Sequence, residues 1–300
     1  MDRLKKYFKK KTKNISFIEM QANSYIDVNN YKVGQEIPLP IVVDELVGEI
    51  KSGDAVDEIK FVQFIKGIIY TIGVDEEFKY FNEYKNILYS YDEKIEEYIL
   101  YSALKYINEN DLETGMVWLR ALNSLNSKNL FGKYNYALSL EERAKVALSL
   151  KDVDLAAMFL GESTHILEEI LSDDPNFHLA HYKLGYHYKN NNEFKKSQLT
   201  WEKFLRLGKE EELIQEVREQ LEEIKEDVIY EEGCNSVLYG NPEEGLDKLL
   251  LLKGKYNEWW NLHFMIGLAY RQMGSFEKAK ERFEKVLQLE EDQVDALNEL

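Results

Sequence analysis

The chain is short of cysteine, proline, long apolar runs and positive charge, and each shortage excludes something. One cysteine in 300 residues, Cys234, rules out an internal disulfide framework and fits a reducing compartment. Only four prolines interrupt it, Pro38 and Pro40 among them, so most of the chain is free to run as helix. Few alternating β-branched stretches argue against an all-β fold. No apolar run reaches the ~20 residues of a membrane-spanning helix. The charged N-terminus has no apolar segment behind it and does not read as a signal peptide, so the expected location is the cytoplasm. Lys and Arg number 38 against 55 Asp and Glu, a net charge of -17, which disfavours wide contact with nucleic acid because a polyanion would be repelled over most of the surface.

Catalytic motifs are missing too. There is no P-loop, no G-x-G-x-x-G after a strand and no G-x-S-x-G. Glu168-Glu169 and Glu222-Glu223 are neighbours in sequence and so do not face each other on a helix. His178 and His181 have the i, i+3 spacing of a metal pair, but no Cys or carboxylate is placed by sequence to complete a shell, so structural histidines are expected. Cys234 has no neighbouring base to activate it. The expectation is no enzyme, no cofactor and no metal.

What is present is helical periodicity. After Ile266-Gly267 and Tyr270 comes a turn at Met273-Gly274-Ser275, then Phe276, Ala279, Phe283, Val286 and Leu287 on one stripe. Ile266, Gly267, Tyr270, Ala279 and Phe283 resemble the tetratricopeptide (TPR) repeat pattern, with His263 where that pattern has Trp and Glu291 where it has Pro. Gly267 is expected to approach Ala279. The same texture recurs at Leu184-Gly185, Tyr188, Phe194, Ser197 and Trp201, with Asn192 in the turn, after Asp173-Asp174-Pro175-Asn176 closes the preceding helix. Gly115 follows Asn110 at the five-residue spacing that separates Ala279 from Gly274. Gly233 and Gly267 stand one TPR period apart, with a weaker unit of Ser236, Gly245, Leu249 and Leu252 between them. From Gly185 to Gly233 the interval is longer, and Leu213, Val217, Leu221 and Ile224 mark an inserted amphipathic helix near 210–225.

Other segments are less regular. Residues 1–14 are basic, with Leu4, Tyr7 and Phe8 on one helical face; they would contact an anionic surface, fray, or rest on the chain's own acidic body. Residues 15–18 and 25–33 look extended, with a tight turn at Asn29-Asn30, and Gly34, Pro38 and Pro40 then imply an irregular connector. Helices are expected over 44–51, over 57–72 ending at Gly73, and from an Asp75 cap through Phe78, Phe81, Tyr84 and Leu88, the last two helices forming a TPR-like pair with Gly67 at a helix–helix approach. Longer helices follow over 134–150 and 154–170, and residues 294–300 begin another first helix.

The fold expected is all-α: a right-handed solenoid of about five or six stacked antiparallel helix pairs behind a small irregular or hairpin cap. Residues 1–55 would form the basic tail and cap, 56–177 degenerate pairs, and 178–300 the better repeats. The resemblance implies a concave groove lined by first helices: Tyr182, Tyr186, Lys189 and Asn190; Tyr230, Cys234 and Leu238; Phe264, Leu268, Arg271 and Gln272. An apolar, aromatic lining suits a protein or peptide segment anchored by apolar side chains, with Lys189 and Arg271 at its edge available for carboxylates. TPR adaptors that hold chaperone C-terminal carboxylates use Lys and Asn at the first two groove sites, where this chain has Tyr182 and Tyr186, which disfavours that role. The function implied is an interaction scaffold; the alternative is a peptide- or ligand-responsive regulator similar to bacterial TPR sensors. A membrane-surface contact through the basic N-terminus and self-association through the C-terminal repeat complete the expected partners.

Overall fold

The computed structural model describes residues 3–43 and 59–300; the helix expected over 44–51 lies outside the described residues. The chain divides into two compact units, Met1–Pro175 and Asn176–Leu300.

The first unit opens with α1 (Arg3–Lys9), a 3-10 turn (Lys10–Asn14) and strands β1 (Ile15–Ile18), β2 (Tyr25–Val28), β3 (Tyr31–Gly34) and β4 (Leu39–Val42). β2 and β3 form the expected hairpin, and Asn29 and Asn30 both take positive φ (48° and 73°), the conformation a two-residue turn demands. The expected connector over 34–40 is corrected: β4 pairs antiparallel with β1, Phe17 opposite Pro40. A two-stranded ribbon is all edge, so a proline without an N–H is tolerated there. α2 (Phe61–Val74) packs on β4, and a Cβ at Gly67 would lie 1.9 Å from the Pro40 carbonyl oxygen. Gly67 therefore admits a strand, not a helix. Gly73 does not end α2; it lies within it, so close to the next layer that a Cβ would meet the Val117 carbonyl oxygen at 2.1 Å. Asp75 closes α2 rather than capping the next helix, and α3 (Phe81–Tyr91) begins only after Phe78. The expected pairing of these two helices is also corrected. α2 packs mainly against β4 and α5 (Leu112–Leu125), because the close approach at Gly73 favours those layers over α3.

Five antiparallel hairpins make up most of the rest. They are α4 (Ile95–Asn108) with α5, α6 (Leu130–Ser149) with α7 (Val153–Asp173), α8 (His178–Asn190) with α9 (Phe194–Leu207), α11 (Lys225–Leu238) with α12 (Pro242–Lys253), and α13 (Trp260–Gln272) with α14 (Phe276–Leu289). All five use one turn device. The chain enters the left-handed region at Asn110, Lys151, Asn192, Gly240 and Gly274. The next amide then donates back to a carbonyl five residues earlier: Asp111 to Tyr106, Asp152 to Ala147, Glu193 to Tyr188, Asn241 to Ser236 and Ser275 to Tyr270, all at 2.8–2.9 Å. This 6→1 bond is the Schellman closure, which satisfies a carbonyl that the end of the helix leaves open. Five residues after each turn residue stands a small buried one: Gly115, Ala156, Ser197, Gly245 and Ala279. Seven before stands another: Ala103, Ala144, Gly185, Gly233 and Gly267.

These small residues set the hairpin spacing. On α11 and α12 the backbones themselves meet: a Cβ on Gly245 would lie 2.7 Å from the Gly233 oxygen. The expected meeting of Gly267 with Ala279 is different. A Cβ on Gly267 would strike the Phe283 ring at 2.7 Å, so the glycine is a notch for a large aromatic one turn beyond Ala279. Gly185 serves Trp201 in the same way. Between α9 and α11 lies the inserted helix, α10 (Glu211–Glu223), and α15 (Val294–Glu299) packs on α14 through buried Ala296.

Candidate functional site

The residues expected to line a groove fall into three environments. Three of those on α8 are bonded to α10. Tyr182 donates its hydroxyl to the Glu216 carboxylate at 3.0 and 3.1 Å, and the Tyr186 hydroxyl donates to the same group. Lys189 Nζ lies 2.8 Å from both Gln220 Oε1 and Glu223 Oε2. Beneath these bonds Val217 of α10 is fully buried in a cluster with Trp201, Phe204, Ile224 and Val228, and Tyr182 and Tyr186 pack against it. Burial and the Glu216 carboxylate together hold the Tyr186 hydroxyl protonated, well above the usual phenol range. Asn190 stays exposed.

On α11 and α13 no inserted helix intervenes. Tyr230, Cys234, Phe264 and Leu268 are half-buried and pack on the cluster formed by Val237, Leu249, Leu262 and Ile266. The Tyr230 ring lies 4.3 Å from that of Trp259, and Phe264 lies 5.7 Å from Phe283. At the turn end of the same helices Leu238 is 62 % exposed and Gln272 is open to solvent. Tyr239, which the sequence reading passed over, is 84 % exposed beside Gly240; a large aromatic next to a turn glycine is the signal that would have found it.

Lys189 and Arg271 are each paired with an acid of this chain: Lys189 with Glu223, and Arg271 with Glu299 of α15 at 2.7 Å. An inserted helix rich in Glu and a short terminal one supply these partners, and neither contact is local in sequence.

The other candidates are quiet. His263 is fully buried and its Nε2 sits 2.8 Å from the Asn257 carbonyl oxygen; burial lowers its pKa, so the neutral ring is the packed form. His178 Nε2 lies 3.2 Å from Glu210. Burial pushes the Cys234 thiol up, away from the thiolate a nucleophile needs. Among the described residues no group of three His, Cys, Asp or Glu side chains is placed to hold a metal ion.

Residues 261–293, which hold most of α13, the Gly274 turn and α14, match the family model of the tetratricopeptide repeat. The α13–α14 hairpin is a tetratricopeptide repeat. It is one of the five hairpins that share the turn device. No curated protein matches the chain. Among solved structures, YrrB, described as a TPR protein with an unusual peptide-binding site, is 16% identical with a TM-score of 0.33, over 67% of this chain and 89% of that one. The MamA protein is 13% identical with a TM-score of 0.31, over 68% and 96%. The TPR2AB domain of yeast Sti1, solved in complex with pHSP90, is 10% identical with a TM-score of 0.36, over 69% and 82%. At these scores the chain's own hairpins carry the reading that follows.

Proposed function

We propose that this chain is a non-catalytic interaction module that binds a protein or peptide segment across α11 and α13. The observation that carries the reading is the contrast between equivalent positions on successive first helices. On α8 the tyrosine hydroxyls and Lys189 are bonded to Glu216, Gln220 and Glu223 of α10, whereas on α11 and α13 the equally half-buried Tyr230, Cys234, Phe264 and Leu268 pack as an apolar band that runs out to exposed Leu238 and Tyr239. Half-exposed aromatic and aliphatic side chains on a rigid helical support gain most from being covered, and large aromatics dominate such contacts. With Lys189 and Arg271 already paired, apolar anchors and not carboxylates are the expected feature of the bound segment.

A peptide array probed with the labelled full-length chain tests this. Peptides with two or more large apolar side chains should be captured, and Leu238→Glu combined with Gln272→Glu should weaken capture about tenfold, the loss of one well-placed contact. Both positions are exposed, so the fold is left intact. Leu199→Glu, an exposed leucine on α9, should bind as the wild type does. Equal capture by all three proteins would overturn the placement on α11 and α13.

A further inference from the structure

The basic N-terminal segment splits into two faces. One is spent on the chain's own acidic body. Lys5 pairs with Glu76 and Glu77 at 3.2 and 2.9 Å, Lys9 with Asp75 at 3.1 Å, and Lys11 with Glu113 at 2.6 Å. Leu4 and Phe8 are buried beneath, with the Arg120 guanidinium 4.6 Å from the Phe8 ring centre. The other face keeps its charge. Arg3, Lys6 and Lys10 follow at i, i+3 and i+7, Lys13 comes on the 3-10 turn beyond, and all four are exposed with no acidic partner among the described residues. In a chain of net charge -17, four unneutralised cations in one row are a segregated patch.

The patch adjoins exposed apolar side chains. Arg3, Lys6, Tyr7 and Lys10 line a cleft of about 270 Å³ with Asp154, Leu155 and Met158 at the start of α7. Tyr7 accepts a hydrogen bond from Arg143 Nε of α6 at 2.9 Å. Val146 and Leu150 follow Arg143 at i+3 and i+7, on that same side of α6, and are 43 % and 71 % exposed; Val153, one residue before Asp154, is 65 % exposed. Between Leu150 and Val153 stand Lys151, exposed and in the left-handed turn conformation, and Asp152, whose carboxylate accepts from the Leu155 amide as the cap of α7. A row of cations beside apolar side chains projecting from a hairpin turn is the pattern of a surface that rests on an anionic bilayer. The cations lie over phosphates and carboxylates, and the turn enters the headgroup layer. The row is extended rather than converging on one point, which suits a plane of charges better than a single anionic group.

We propose that Arg3, Lys6, Lys10 and Lys13, with Leu150 and Val153, dock the first unit peripherally on an anionic lipid surface. No helix among the described residues is long and apolar enough to cross a membrane, so the contact is with the surface alone.

Co-sedimentation of the full chain with vesicles tests it. Vesicles of phosphatidylcholine containing roughly a third phosphatidylserine should bring the protein down, pure phosphatidylcholine should not, and raised salt should release it. Lys6→Glu with Lys10→Glu should weaken binding about tenfold or more, since each reversal opposes the surface potential. Leu150→Ser with Val153→Ser should weaken it about threefold or more at unchanged charge, which a purely ionic contact would not do. Circular dichroism should be unchanged in both variants, because every altered side chain is exposed. No sedimentation with phosphatidylserine, or equal binding by the lysine double variant, overturns the proposal. So does tight binding of soluble poly-glutamate that Leu150→Ser with Val153→Ser leaves unchanged, which would assign the patch to an acidic polypeptide.

Discussion

At the scale of single residues, the glycines divide into those that hold two layers together and those that do not. Gly185 belongs to the first kind. A Cβ there would sit 2.1 Å from Trp201 Nε1, the atom that donates to the Tyr182 carbonyl at 3.1 Å, while Ser197 Oγ donates to the Gly185 carbonyl at 2.8 Å. Gly185→Ala therefore displaces a fully buried indole and strains two buried hydrogen bonds, a cost of about 2–4 kcal/mol from overpacking and lost bonding. Gly161 belongs to the second kind: it lies inside α7 with nothing within 4 Å of a Cβ position. Gly161→Ala should gain about 0.5–1 kcal/mol, the ordinary penalty of glycine in a helix interior. Urea titration should move the two midpoints in opposite directions. A sequence shows that Gly185 and Gly161 are both helical; it does not show that only one of them faces an indole. The same blindness led from Gly267 to Ala279 instead of Phe283, since spacing identifies which residues are small and not which large side chain fills the notch.

At the scale of elements, two helices owe their positions to contacts far away in sequence. α10 is held to α8 and α9 by buried Val217 and, at its rim, by Glu216 bridging two tyrosines. Magnitudes decide between them. Burying a valine side chain contributes about 1.5–3 kcal/mol, whereas a hydrogen-bonded charge on an exposed residue such as Glu216 contributes about 0–1 kcal/mol. Val217→Ala should therefore cost about 2 kcal/mol and speed amide exchange along α10, while Glu216→Gln should leave that exchange within about threefold of wild type. α1 is different, since ionic contacts frame its buried Leu4 and Phe8. Burial pushes the Glu113 carboxyl up, but hydrogen bonds from Lys11 and Tyr7 and the charges of Lys11 and Arg143 outweigh it, leaving Glu113 below its usual value of 4.5. A carboxyl with a depressed pKa binds fewer protons folded than unfolded. Its contribution is complete above about pH 4.5 and is lost as the pH falls through the lower folded value. Carboxyl titration followed by NMR should give Glu113 a midpoint below 4.5, with the amide shifts of α1 moving in step. Glu113→Gln should flatten that part of the profile. Most of the helical hairpins were legible, because Asn110, Asn192 and Gly274 are residues that tolerate positive φ, each followed by a small residue five positions on. Lys151 uses the same turn with a residue that gives no such signal, which is why the α6–α7 hairpin could be read only as two long helices. The pairing of β1 with β4 and the seating of α10 over the α8 tyrosines were not legible, since both depend on partners a sequence window does not contain.

At the scale of the whole molecule, the repeat construction limits how far a disturbance travels. Within each of the units Met1–Pro175 and Asn176–Leu300, hairpins pack chiefly against their sequence neighbours. In such a chain stability is a sum of local terms and nearest-neighbour interfaces, and one global transition is not the expectation. Gly185→Ala provides the test, because its damage is confined at the start to Trp201 and the α8–α9 hairpin. Amide exchange measured by mass spectrometry should rise about tenfold or more over α8 and α9, in line with a loss above 1.4 kcal/mol. The rise should extend more weakly through α10 and α11, which share the Trp201 and Val228 cluster, and leave α2, α4 and α5 at wild-type rates. A uniform rise along the whole chain would mean that the two units open together, and stability would then have to be assigned to the molecule as one cooperative body. The graded outcome has a functional corollary. A partner covering α11 and α13 would protect those helices and α10 beside them.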